Sequence, residues 1–207
     1  MACGTDKLLR GVEARIEGGI QVMHLLWAHH SQEEDYGFLR IDACNAFNED
    51  NWTEMLWAVQ FEWPSGVQFS LNCYRFGATL VVFNKDGSGH FLHIKEGVTQ
   101  GYPLTIITFG IGIFLMICKL YTTHAHIMQP WYGEDSVEGG AFEALHDNMY
   151  NLLVRRSLQE YFPDLTKSIL VVFLWNVQRA EAYLRGMGVQ VVTGSRYLGV
   201  FIGDQET

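Results

Sequence analysis

Trp131-Tyr132-Gly133-Glu134-Asp135 is the stretch whose reading decides the fold. An apolar approach, Ile127-Met128 and then Trp131-Tyr132, runs into a glycine and two adjacent carboxylates, after which Ser136-Val137 resume a strand-like pattern. Apolar strands on either side of a tight glycine-containing turn spell a β-hairpin with acids at its tip. Like charges held side by side repel, and a divalent cation with oxygen ligands, most naturally magnesium, relieves the repulsion. Upstream, Phe38-Leu39-Arg40-Ile41-Asp42-Ala43 reads as a short apolar strand ending on another acid, Asp42. Two strand-borne carboxylate sites that could meet across one sheet suggest a metal-clamped phosphoryl-transfer centre.

Around these acids the chain has the makings of one domain, residues 1–207. Its 207 residues are 48% hydrophobic, enough for a substantial core, and that composition excludes a disordered chain. The formal net charge is −9 and no lysine- or arginine-rich run occurs, which argues against tight, autonomous binding of nucleic acid. A local basic groove would have to draw on Arg155-Arg156, Lys167, Arg179, Arg185 and Arg196. Cys3, Cys44, Cys73 and Cys118 form no Cys-x-x-Cys pair, so neither a zinc ribbon nor a disulfide framework is indicated. A reducing, intracellular setting (cytoplasm or nucleus) is expected, since the N-terminus also has no apolar signal core. The longest apolar run, residues 104–118, is interrupted by Thr105, Thr108, Gly110 and Gly112. It is short for a bilayer span and reads as a buried helix, so no membrane partner is expected.

Periodicity places the other elements. Leu8, Leu9, Val12, Ile16, Ile20, Met23 and Leu26-Trp27 recur at helical spacing, predicting an amphipathic helix over residues 7–30. A second helix follows a cap at residues 48–51 and ends at Pro64-Ser65-Gly66. Residues 69–74, 78–83 and 91–94 read as strands, with Asp86-Gly87-Ser88-Gly89 as a turn. Pro103 opens the apolar helix to about residue 120, and another helix spans 142–158. Residues 169–173 form a buried strand, Asn176 caps a helix through 186, and 189–192 and 197–202 are the last strands. His29-His30 read as a solvated helix end, and His124 and His126 as surface or edge histidines, because no spacing completes a metal site. From Asp42 onward the order is strand, helix, hairpin insertion, helix, strand pair, helix, strand. That is an α+β fold of split β-α-β pattern, an antiparallel sheet with helices packed on one face.

Five stretches in this order resemble the motifs of one family. Residues 38–48, with Asp42 followed by Ala46-Phe47, resemble the first catalytic motif of reverse transcriptases. Glu96-Gly97-Val98-Thr99-Gln100-Gly101-Tyr102-Pro103-Leu104 resembles their second motif, Gly-x-x-Gln-Gly-x-Pro-Leu. Tyr132-Gly133-Glu134-Asp135 resembles the tyrosine-x-Asp-Asp box, Thr166-Lys167-Ser168 the later lysine motif, and Tyr197-Leu198-Gly199 the primer-grip turn. Any one is weak; together, across residues 35–204, they are specific. The likeness is to retrotransposon enzymes without long terminal repeats, and to a palm-centred fragment of one. Residues 1–34 would be an N-terminal helix, 35–173 the palm, and 174–207 a C-terminal helix with primer-grip-like strands.

The resemblance implies a polymerase palm and an RNA-directed DNA polymerase. It would use two magnesium ions (manganese as a substitute), a primed RNA or DNA template and deoxynucleoside triphosphates. Asp42, Glu134 and Asp135 would be catalytic metal ligands, and Lys167 would help protonate the pyrophosphate. Phe47 would press on the sugar, Gln100 and Gly101 would contact the incoming nucleotide, and Tyr197, Leu198 and Gly199 would lie under the primer end. Each has a plainer alternative: a strand-end or turn acid for Asp42 and Asp135, core packing for Phe47, a solvated edge charge for Lys167, an ordinary hairpin for 197–199. Glu134 departs from the family's aspartate by one methylene, and magnesium demands near-ideal octahedral geometry, so reduced activity is expected. The acidic charge, Glu134 and the absence of basic fingers strands support the alternative of a catalytically silent retroelement relic with weak nucleic-acid or partner binding.

Overall fold

The computed structural model describes residues 16–98, 104–159 and 161–204, with side chains except at 16–19 and 155–159. In chain order these are α1 (Ile16–His29), β1 (Tyr36–Ile41), α2 (Trp52–Glu62), α3 (Val67–Tyr74), the hairpin β2 (Ala78–Phe83) and β3 (Gly89–Ile94), and α4 (Thr105–Thr123). Then come the hairpin β4 (Trp131–Tyr132) and β5 (Asp135–Ala141), α5 (Phe142–Gln159), β6 (Ile169–Val172), α6 (Val177–Tyr183), β7 (Gln190–Val192), and the hairpin β8 (Gly194–Tyr197) and β9 (Val200–Gly203).

The frame is a five-stranded sheet in the order β4-β5-β1-β6-β7. β1 lies at its centre because both of its faces are apolar, and alternate residues of a strand point to opposite sides. Leu39 and Ile41, with Leu170 and Val172 of β6, pack with Met55, Val59, Phe109, Phe142, Leu145 and Met149 of α2, α4 and α5. Tyr36 and Phe38, with Val137 and Val171, pack on the other face with Met23 of α1 and with Tyr197 and Ile202 of the last hairpin. Each such buried side chain contributes about 1.5–3 kcal/mol. Gly139 of β5 is dictated by the neighbouring strand: a Cβ there would lie 3.0 Å from the Tyr36 hydroxyl and 3.1 Å from the Phe38 ring.

The α+β class agrees with the sequence reading, and several elements differ in detail. Residues 69–74 are helix, not strand. The spacing of Phe69, Leu71 and Cys73 suggests period two, but the buried positions are Ser70 and Tyr74, four apart on one helical face. β6 and β7 are parallel, the one such pair in an otherwise antiparallel sheet, because α6 makes a crossover between them. α1 and the β8–β9 hairpin cover the sheet face opposite α2, α4 and α5. Residues 197–202 are two strands and a turn rather than one strand. Asn176 occupies the N-cap position of α6 but makes no side-chain capping bond; its side chain is buried and donates to the Glu33 carbonyl at 2.9 Å. The first half of the expected N-terminal helix, with Leu8, Leu9 and Val12, lies outside the described residues.

α4 extends to Thr123 and, at 19 residues, is long and apolar enough to cross a membrane, but 56% of its apolar window is buried inside the fold. It is the core helix, packed along α2. His124 at its end is buried, contrary to the surface reading, and its Nε2 lies 2.9 Å from the Asn151 amide nitrogen.

One acid lies on the buried face of β5. Glu138 is fully enclosed; Asn148 donates to its Oε1 at 2.5 Å. Its Oε2 and Asn148 Oδ1 have no partner, a lack that a proton on the carboxyl would answer. Burial pushes this carboxyl up to about 8, against a smaller opposing effect of the Asn148 bond. Folding therefore raises its pKa, so the stability of the neutral form is fully present below the unfolded value of about 4.3 and is lost as pH climbs toward about 8. Glu138→Gln is expected to remove this loss. Thermal scans should show the variant gaining over the parent at pH 8 and not at pH 5, by about 2–4 °C per kcal/mol relieved; parallel pH profiles would contradict a neutral Glu138.

Candidate active site

β1 pairs with β5 in a register that sets Ile41 opposite Ser136. One residue further the same register sets Asp42 opposite Asp135, where neighbouring-strand Cβ atoms are about 4.5–5.5 Å apart. Alternation puts both on the face that carries Phe38, Arg40 and Val137. Asp135 can start β5 there because the loop is only Gly133-Glu134, closed by the Tyr132 and Asp135 pair. Gly133 takes φ +59°, the left-handed conformation that a side chain disfavours. The acids meet as the sequence reading expected.

Their electrostatics express the crowding. Burial raises the Asp135 carboxyl first, the Asp42 charge raises it further, and Arg40 opposes both. Glu134 is raised by burial, then by Asp135 and Asp42, with Lys167 opposing. Lys167 Nζ sits 3.7 Å from Asp42 Oδ1 and 3.3 Å from Asp164 Oδ2. Asp164 is held down to about 2, chiefly by the Thr166 hydroxyl, which donates at 2.6 Å. Arg40 donates to the carbonyls of Arg196 at 3.1 Å and Lys167 at 3.3 Å, tying the last hairpin and the lysine segment to β1.

Among the described residues no three His, Cys, Asp or Glu side chains gather into a metal cage. The facing acids offer only hard oxygen donors. That set suits magnesium, which takes one or two carboxylates and fills its octahedron with water and substrate phosphates.

Phe47 lies beside the acidic turn. A Cβ on Gly133 would be 3.8 Å from the Phe47 ring, which also packs on Phe109 at a centroid distance of 4.6 Å. The second motif docks on this same loop: Val98 N–H donates to the Phe47 carbonyl at 2.6 Å, Gly97 N–H to that of Asp50 at 2.8 Å, and the buried Trp52 indole to that of Gly97. Gly97 has φ +80°, and a Cβ there would fall 2.5 Å from the Asn48 carbonyl oxygen. Gln100 and Gly101 lie outside the described residues. Tyr197 is buried, and its hydroxyl is pushed up by burial and then by the Asp135 charge; Leu198 and Gly199, at φ +48° and +84°, make the β8–β9 turn beside it. Asp42, Glu134, Asp135, Lys167 and Tyr197 therefore lie within electrostatic reach of one another, Phe47 borders the turn, and Arg40, Tyr161 and Asp164 join them unanticipated. Arg40 was legible as the residue two before Asp42 on one strand face; the other two had no local signal.

No family model and no curated protein matches the chain. Solved structures do. An apo telomerase from Candida tropicalis truncated from its C-terminal domain superposes with TM-score 0.68 at 14% identity over 96% of this chain and 41% of that one. Telomerase from Candida albicans in complex with a TWJ fragment of telomeric RNA gives 0.66 at 10% identity, covering 95% and 35%. The Candida tropicalis enzyme with such a fragment gives 0.60 at 14%, covering 80% and 31%. The fold is reverse-transcriptase-like. The chain spans roughly a third of the length of these neighbours.

Proposed function

We propose that the chain is an RNA-directed DNA polymerase domain of retrotransposon origin, of the type without long terminal repeats, acting inside the cell on a primed template. The observation that carries this is the β1–β5 register, which faces Asp42 toward Asp135 within a reverse-transcriptase-like fold.

In the proposed reaction a primer 3′-hydroxyl, its proton passing to solvent, attacks the α-phosphorus of a deoxynucleoside triphosphate, the new ester bond forms in line, and the bond to pyrophosphate breaks. Magnesium, when bound, lowers the barrier by polarising the phosphoryl oxygens and the attacking hydroxyl. Asp42 and Asp135, with Glu134 beside them, are the residues to hold it. Lys167 is exposed enough to leave Asp42 and bring its charge and a proton to the departing pyrophosphate. Phe47, at the turn, supplies a flat wall against the sugar, and Gln100 and Gly101 complete the nucleotide contact by resemblance alone. Tyr197, Leu198 and Gly199 shape the surface under the primer end.

A second reading, the silent relic, draws on the Lys167 ammonium, which at 3.7 Å from Asp42 already offsets part of the acid charge that a metal would neutralise. Primer extension on an RNA template with magnesium or manganese separates the two. Incorporation that depends on Asp42 supports the polymerase; none with either metal, on either RNA or DNA template, supports the relic.

A further inference from the structure

We infer that Tyr161 is the positioning residue of the acidic turn, acting through the main chain of Glu134 to hold Asp135 in place opposite Asp42. This deepens the polymerase reading, and only the activity arm of its test rests on that reading.

Tyr161 is 1% exposed, and its hydroxyl donates to the Glu134 carbonyl at 2.9 Å. Carbonyls within a two-residue hairpin loop have no partner in the ladder, so this phenol is the group that fixes the peptide joining Glu134 to Asp135. Its ring meets Trp131, the strand residue that enters the turn, edge to face at 5.5 Å.

What makes Tyr161 more than a core residue is the segment it belongs to. Phe162 accepts from Cys44 N–H at 2.7 Å, Pro163 bridges Ala43, and Asp164 N–H donates to the Asp42 carbonyl at 2.7 Å. Ser168 Oγ accepts from Asp42 N–H at 3.2 Å while donating to the Asp164 carbonyl at 2.8 Å. One strap, residues 161–168, thus holds both main-chain polar groups of Asp42 and the carbonyl next to Asp135. The spacing of the two acids is fixed by a third piece of chain as well as by their own strand pairing.

Tyr161→Phe keeps the ring and deletes the bond. Amide hydrogen exchange is expected to quicken about tenfold at residues 133–136, the effect of losing one hydrogen bond, with α2 and α5 amides unchanged. In primer extension kcat is expected to fall about tenfold with the nucleotide KM unchanged. Exchange at the parent rate in the turn overturns the inference, as does acceleration of all amides in step with a lowered Tm, the mark of a merely structural tyrosine. If the unsubstituted protein extends no primer, the polymerase reading fails, and the exchange measurement alone decides the role of Tyr161.

Discussion

Asp42→Ala is expected to reduce primer extension by at least about a hundredfold while leaving the protein folded. A carboxylate that holds a catalytic cation supports several kcal/mol of transition-state stabilisation, and each 1.36 kcal/mol is tenfold in rate. The fold is insulated because the main-chain bonds of Asp42, to Ser168 and from Asp164, do not involve its side chain. Its one ion-pair partner among the described residues, Lys167, is solvent-exposed and keeps Asp164 at 3.3 Å. Removing Asp42 also takes a like charge away from Asp135 and Glu134, whose carboxyls it raises. The Tm should therefore hold or rise. Primer extension beside a thermal scan checks both halves; unchanged incorporation would show that Asp42 is an ordinary strand-end acid.

Glu134→Asp is expected to increase extension with magnesium, by up to about a hundredfold. An ångström-scale displacement of a catalytic group costs on that order, and glutamate places its carboxyl one methylene further from the turn than the family's aspartate does. The local backbone accepts the change: aspartate is favoured in tight turns, and the Tyr161 bond is to the main chain of residue 134, not its side chain. Steady-state kcat for parent and variant checks this. No gain would show that the longer acid is already in register with the reacting groups, or stands clear of them.

Much of this site was legible in the residues themselves, because its parts are local patterns. Apolar residues ending on Asp42, and a glycine before Glu134-Asp135, are strand and turn signals that hold whatever surrounds them. Their union across β1 and β5 came from motif order, not from periodicity; β5 itself contains Gly139, a poor strand former that only the bulk of Tyr36 and Phe38 beside it explains. α3 was hidden because residues 69–74 alternate in sequence while their burial follows a helical face. The parallel β6–β7 pair and the strap across Asp42 are long-range facts with no nearby trace. Tyr161 lies just past the helix read over 142–158 with no signal of its own, and only the folded chain carries its hydroxyl to a turn 27 residues away.

The claim on which the account stands is that one cation is shared by acids from two distant stretches. Substoichiometric manganese added to 15N-labelled protein tests it by paramagnetic broadening of amide signals. The account predicts that residues 41–43 and 134–136 broaden together and first, and that both sets recover in Asp42→Ala. Broadening of one set without the other, or of neither, would contradict it.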